Sequence, residues 1–172
     1  MCVCLYKPAG AKMPSLRVLT ACHRANPDGM GFCTPTAVYH TLNFFDFVDA
    51  LAKVSQADPC IIHFRWATHG SVKLSNCHPF VMGRVKFAHN GVLPIDSIKD
   101  MTDSEIALRG IIYPAIKQHG FESPEADRII TKIAGSSRFA IMVGTKVELI
   151  GRWALRGGVY YSNLNWLYRL RA

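Results

Sequence analysis

The chain lacks an apolar run long enough to cross a bilayer, so a membrane span is not expected. Its start, MCVCLYKPAG, has no basic region leading into a hydrophobic stretch, and a secretory leader is not expected either. There is no C-x-x-C pair and no regular cysteine spacing among Cys2, Cys4, Cys22, Cys33, Cys60 and Cys77. That pattern argues against a disulfide framework and gives a zinc site from scattered Cys and His no ligand spacing to stand on. Free thiols in a reducing, cytoplasmic setting are the expectation, with no metal and no cofactor. No internal repeat, low-complexity tract or linker interrupts the 172 residues, which predicts one domain over 1–172. Acidic residues are scarce, 12 against 20 lysines and arginines, for a net charge of +8. The excess is visible near the end, where Lys146, Arg152, Arg156, Arg169 and Arg171 face only Glu148. Such a surface suits nucleic acid, an acidic partner or plain solvent, and no nucleic-acid module accompanies it.

What is present is globular: 49% of residues are hydrophobic and 19% charged. Strands are predicted at 3–6, 31–34, 37–42, 60–64, 85–88, 139–143, 146–150 and 158–162. Helices are predicted from Ser15, a good N-cap, to about residue 24, and over 44–56, 103–118 and 124–133. In the second of these, Phe44, Phe47, Val48, Leu51 and Val54 share one face. NPDGMG at 26–31 is a turn by composition. Neighbouring strand pairs and helices in blocks predict antiparallel sheets with helices packed outside them, an α+β arrangement.

The N-terminal cysteine and four short stretches carry the chemistry. With Met1 trimmed, Cys2 would hold a thiol and a free α-amine on one residue, and an α-amine of pKa about 7.7–8.0 can accept a proton near neutrality. The same cysteine is equally the ordinary start of a first strand. HFRWATHG at 63–70 follows an apolar strand with two histidines, an arginine and a threonine. AHNGVL at 88–93 sets the Asn90 amide beside the Gly91 N–H, two donors suited to an oxyanion, although Asn-Gly is also a favoured hairpin turn. In TDSE at 102–105, Thr102 and Glu105 fit a helix cap, which leaves Asp103 at the helix start to meet a ligand's ammonium. NCHPF at 76–80 completes the set, its His-Pro fixing an extended approach to the next strand.

Taken in order, N-terminal Cys, HFRWATHG, NCHPF, AHNG and TDSE resemble the glutaminase domain of class II glutamine amidotransferases, a branch of the N-terminal-nucleophile (Ntn) hydrolases. RWATHG is the most specific piece, and RANPDGMGF resembles the Arg-plus-DG-x-G segment of smaller members. The resemblance implies a four-layer αββα sandwich of two antiparallel sheets flanked by helices. It implies that Cys2 is the nucleophile, that Asn90 and Gly91 form the oxyanion hole, and that Arg65 holds the α-carboxylate of L-glutamine. Thr68, His69 and Gly70 would line the glutamine pocket and Asp103 would bind the α-ammonium. His89 would support the site. Arg24 matches the family arginine behind the nucleophile, though one residue further from the DG-x-G glycines than the family pattern. His63 and Trp66 read as packing residues.

The activity so implied is release of ammonia from glutamine through a γ-glutamyl thioester on Cys2. Nearly the whole chain is taken up by the glutaminase motifs, so the ammonia acceptor is expected on a separate synthetase subunit, with the basic C-terminal region as a possible docking face. Two other readings share many of these residues. One is an Ntn hydrolase acting on other amides; the other is a non-catalytic basic binding module with the same fold.

Overall fold

The computed structural model describes residues 2–67, 71–95 and 101–170. Ten strands form two antiparallel sheets that lie face to face, and helices cover both outer faces. The larger sheet has the order β3-β2-β4-β1-β10-β9, from β1 (Val3–Lys7), β2 (Met30–Cys33), β3 (Val38–Thr41), β4 (Cys60–Phe64), β9 (Ala154–Arg156) and β10 (Val159–Tyr161). The smaller has the order β5-β6-β7-β8, from β5 (Phe80–Met82), β6 (Val85–Asn90), β7 (Arg138–Val143) and β8 (Lys146–Ile150).

Strand alternation sorts the core into three layers of contact. On β1 and β4, Val3, Leu5, Cys60, Ile62 and Phe64 face α1 (Leu16–Ala25) and α2 (Phe44–Leu51), joined there by Leu19, Phe47 and Leu51. On β6 and β7, Val85, Phe87, Phe139 and Ile141 face α3 (Asp103–Ala107), α4 (Tyr113–His119) and α5 (Pro124–Ala134). Between the sheets lie Cys4, Cys33, Ile61, Ala88, Ala140 and Met142, mostly small side chains that let the two sheets approach closely. The result is the αββα sandwich expected from the resemblance. All six cysteines are unbridged, five of them buried. Among the described residues no helix is long and apolar enough to cross a membrane.

The helices start where their caps demand. Ser15 Oγ accepts the Val18 N–H, Asn43 Oδ1 the Phe45 N–H at 2.9 Å, Thr102 Oγ1 the Glu105 N–H and Ser123 Oγ the Ala126 N–H. Two expectations need correction. The helix expected over 44–56 ends at Leu51, because the Lys53 and Val54 N–H groups bond the i−3 carbonyls of Ala50 and Leu51 in tightened turns. Val54 still reaches the core from there. The helix expected over 103–118 is divided by a π turn over Leu108–Ile112, preceding Pro114. Proline offers no N–H to the carbonyl of Gly110 and its ring crowds that carbonyl, so the ladder widens. Two strands were not anticipated. β5 is a three-residue edge strand, and β9 pairs β10 through Gly157-Gly158, whose φ of 57° and 80° suit a tight hairpin.

Candidate active site

β1 and β4 run antiparallel with Val3 opposite Phe64 and Cys4 opposite His63, so the next step along the register sets Cys2 against Arg65. There the Trp66 N–H donates to Cys2 Sγ at 3.3 Å, and the thiol lies 3.5 Å from the Trp66 carbonyl oxygen. Burial pushes the Cys2 thiol up, while the Trp66 N–H and the Arg65 charge pull it down. Cys2 is held from the other side by the far end of the chain: Asn163 Nδ2 donates to the Cys2 carbonyl at 2.8 Å.

Ser162 ties the two sheets together at this end. Its N–H donates to the Cys4 carbonyl and its Oγ accepts the Cys4 N–H, both at 2.9 Å. Asn90 Nδ2, at the end of β6, meets the same Oγ at 2.7 Å. The expected nucleophile and the expected oxyanion donor are thus brought to neighbouring strand ends of opposite sheets. Gly91 follows with φ 152°; a Cβ there would lie 2.1 Å from Ser137 Oγ and 3.0 Å from His89 Nε2. No side chain fits, and the backbone angle itself disfavours one.

Arg65 is 5% exposed, and its Nη1 donates to the Ser71 carbonyl at 3.2 Å. Asn76, from NCHPF, donates to the same carbonyl at 3.0 Å. The turn NPDGMG does more than reverse the chain. The Asp28 N–H donates to the Arg65 carbonyl, the Arg65 N–H to the Gly29 carbonyl, and Asp28 Oδ2 accepts the Ala67 N–H at 2.8 Å. Asp28 therefore clamps the RWA backbone on both sides of Trp66. Thr68, His69 and Gly70 lie outside the described residues.

Asp103 is not left unengaged at the helix start, as the capping argument suggested. Its Oδ2 accepts the Leu93 N–H at 3.0 Å, and its Oδ1 accepts the Ser104 N–H at 2.7 Å and the Ser104 hydroxyl at 3.1 Å. The Ser104 Oγ, its proton so committed, accepts His89 Nδ1–H at 2.8 Å. His89 thus carries its proton on Nδ1 and reaches Asp103 through one hydroxyl. Arg24 is exposed near the end of α1, and its side chain makes no hydrogen bond or ion pair among the described residues. Trp66, read as a packing residue, is 45% exposed; with Asn26, Leu164 and Tyr168 it lines an open cavity of about 570 Å³.

Behind the site, His63, His78 and His89 are buried together, with ring centroids of His63 and His78 4.4 Å apart. His63 Nε2–H donates to the His89 carbonyl at 3.1 Å. Burial holds His63 down to about 3 and His89 to about 4, and His78 well below its ordinary value. All three are neutral imidazoles near pH 7.

Asp28, Ser162 and Asn163 were not anticipated as site residues. DG-x-G drew attention to Asp28 without giving it a task. Ser162 and Asn163 sit in a tail stretch, SNLNW, with no chemical signature of its own.

The sequence profile of class II glutamine amidotransferases matches residues 51–134, a segment that contains Arg65, Asn90, Gly91 and Asp103 but not Cys2. Among curated proteins, the isomerizing glutamine–fructose-6-phosphate aminotransferase of Lactococcus lactis is 35% identical over 102 residues, covering 51% of this chain and 17% of that protein. Its counterpart from Zymomonas mobilis is 34% identical over 91 residues, covering 50% of this chain and 13% of that protein. The chain matches only a small part of these relatives. Among solved structures, the glutamine phosphoribosylpyrophosphate amidotransferase of B. subtilis, in complex with ADP and GMP, superposes with a TM-score of 0.59 at 17% identity. That likeness covers 94% of this chain and 41% of the other, and it is one of fold. The motifs, the sandwich and these matches together make the chain similar to the class II glutamine amidotransferases, with the profile match confined to residues 51–134.

Proposed function

We propose that this domain hydrolyses L-glutamine at Cys2 and delivers the ammonia to an acceptor site on a separate synthetase subunit. The observation that carries the reading is the meeting of strand ends: Cys2 beside Arg65 on one sheet, and Asn90 on the other, linked through Ser162.

With Met1 removed, the Cys2 α-amine takes the thiol proton and the sulfur attacks the δ-carbonyl of glutamine. The oxyanion that forms is held by the Asn90 side chain and the Gly91 N–H, donors whose individual loss costs about 10²–10³ in rate. The protonated amine gives its proton to the departing nitrogen, the C–N bond breaks and ammonia leaves. A γ-glutamyl thioester remains. Water, deprotonated by the same amine, cleaves it to glutamate and regenerates the thiol.

Arg65 would pair with the substrate α-carboxylate through its planar donor fork, and Asp103 would take the α-ammonium with a carboxylate already oriented by Leu93 and Ser104. Thr68, His69 and Gly70 would complete the pocket. Arg24, from its exposed position, would act on the nucleophile only indirectly. The exposed Arg152, Arg156 and Arg169 offer the acceptor subunit a basic face.

Intact mass spectrometry before and after exposure to a diazo-ketone analogue of glutamine tests the reading. The expected result is loss of Met1 and one adduct, absent in Cys2→Ala and suppressed by excess glutamine. A retained Met1, or a processed protein that stays unlabelled, refutes it. Labelling by simple acyl amides in preference to the glutamine analogue would redirect it to another amide hydrolase.

A further inference from the structure

We propose that Ser162 is the positioning residue of the oxyanion hole: its hydroxyl donates to Asn90 Oδ1 and thereby turns the Asn90 amide nitrogen toward the reacting carbonyl. The catalytic half of this inference rests on the glutaminase reading; the orientation itself does not.

The starting observation is a mismatch of donors and acceptors. Asn90 is 2% exposed, and its Oδ1 is buried with no donor among the described residues. Its Nδ2 instead faces Ser162 Oγ, which already accepts the Cys4 N–H. In that arrangement both acceptor positions of the hydroxyl are taken by N–H groups. The Ser162 proton then has no acceptor among the described residues, and a buried carbonyl oxygen nearby has no donor. Each such group is costly when buried.

Rotating the amide by half a turn about its terminal bond exchanges nitrogen and oxygen without altering the packing outline. The Ser162 O–H then donates to Asn90 Oδ1, the Ser162 Oγ keeps the Cys4 N–H, and two orphaned groups satisfy one another. The separation agrees: 2.7 Å is the usual length of an O–H···O bond, whereas N–H···O bonds centre near about 2.9–3.0 Å. What remains unpaired is the Asn90 N–H₂, at the position Oδ1 held before. An oxyanion hole requires such a donor, held in place and unfilled until the carbonyl oxygen becomes charged.

Ser162 is also bonded twice to the Cys4 backbone, so the group that orients the donor is fixed to the strand that carries the nucleophile. Any shift of β1 against β6 would move both partners of the attack together. The residue thus acts through Asn90 and touches no substrate atom.

Two measurements test this. In glutamine hydrolysis, Ser162→Ala is expected to lower kcat about tenfold, the weight of one hydrogen bond, with KM changed less than about twofold. Ser162→Thr, which keeps the hydroxyl, is expected to recover most of that loss. Placed in an Asn90→Ala background, Ser162→Ala is expected to cost less than about twofold, because the amide it orients is gone. An equal tenfold loss in both backgrounds would show Ser162 acting only through the Cys4 strand, and would overturn the inference. A neutron structure of the wild-type protein decides the orientation independently of turnover. A deuterium on Ser162 Oγ directed at Asn90 Oδ1 supports the proposal, and an Asn90 N–D directed at Ser162 overturns it. That supporting geometry in a protein with neither turnover nor analogue adduct would refute the glutaminase reading and overturn the catalytic half.

Discussion

Lowering the pH from 7 to 5 is expected to destabilise this fold by about 5 kcal/mol, and His78→Phe to remove about 2 kcal/mol of that loss. The reasoning begins with three imidazoles that cannot charge without leaving their places. His63, His78 and His89 are each less than a tenth exposed. His63 Nδ1, His89 Nε2 and both nitrogens of His78 are buried without a partner among the described residues, so a proton added there finds no acceptor. Arg65 stands near His63 and His78 and adds a like charge, and His40, half-buried on β3, adds another when protonated.

For a base whose folded pKa is depressed, the unfolded chain binds protons that the native state does not. Stability then rises with pH between the two pKa values and is lost as pH falls below the ordinary 6.5. Between pH 7 and 5, each unfolded imidazole gains most of a proton while native His63 and His89, at about 3 and 4, gain almost none. Integrated over that interval, the loss is about 2 kcal/mol per imidazole, about 6 kcal/mol for three. Glu148 acts in the opposite sense. Burial first, then its hydrogen bond and proximity to Asp127, raise its carboxyl to about 7, so acidification relieves it. That group is half-buried and still screened by solvent, which limits the relief to roughly 1 kcal/mol. The net of these four groups, about 5 kcal/mol, to which the lowered His23 and His40 add in the same direction, is a large share of the ~5–15 kcal/mol that holds a domain of this size together.

Urea unfolding followed by tryptophan fluorescence at pH 7, 6 and 5 measures the slope directly. His78→Phe is the informative variant because the ring packs between His63 and Phe80 and donates no hydrogen bond that phenylalanine would forfeit. The slope of ΔG against pH should fall by close to one proton in the variant. A wild-type slope in His78→Phe would refute the claim that this imidazole stays neutral in the fold.

Three further outcomes are expected. Asp28→Ala should raise KM for glutamine about tenfold and cost about 1.5–3 kcal/mol of stability, since the Ala67 N–H loses a charged acceptor; Asp28→Asn, which retains an oxygen there, should restore most of both in parallel kinetic and melting assays. Gly91→Ala should cost more than about 2 kcal/mol and abolish analogue labelling, because its Cβ would fall within 2.7 Å of two Ser137 side-chain atoms at a φ of 152°; an unchanged melting temperature would contradict this. Glu148→Gln should stabilise the protein by about 1 kcal/mol at pH 8 and leave it unchanged at pH 4.5, the sign following from a carboxyl raised to about 7, with thermal melts at both pH values as the check.

The residues legible in the sequence were those whose chemistry is local. Ser15, Thr102 and Glu105 announce a helix start because a cap is made within four residues of chain. Asn90-Gly91 announces a donor pair because its two N–H groups are neighbours by covalent structure. The strands at 60–64 and 139–143 were readable from continuous burial, and the αββα layering followed from family resemblance more than from element order. The three-residue strands β5 and β9 were not readable, since so short a segment has no period to detect. Still less so were the contacts that assemble the site. Ser162 reaches Cys4 across 158 positions and Asn90 across 72, and Asn163 reaches Cys2 across 161. These partners exist only because β10 pairs with β1, and a serine followed by an asparagine near the end of a chain carries no signal of that pairing. Asp28 falls between the two cases: its turn chemistry is local, but the Ala67 N–H it binds is 39 positions away. In the proposed reaction the motif residues would supply the reactive groups, while residues without a motif fix how those groups face one another. Substitutions at Ser162, Asn163 and Asp28 should therefore change rate and affinity while every motif residue stays intact, an effect that a search by motif would assign to no site at all.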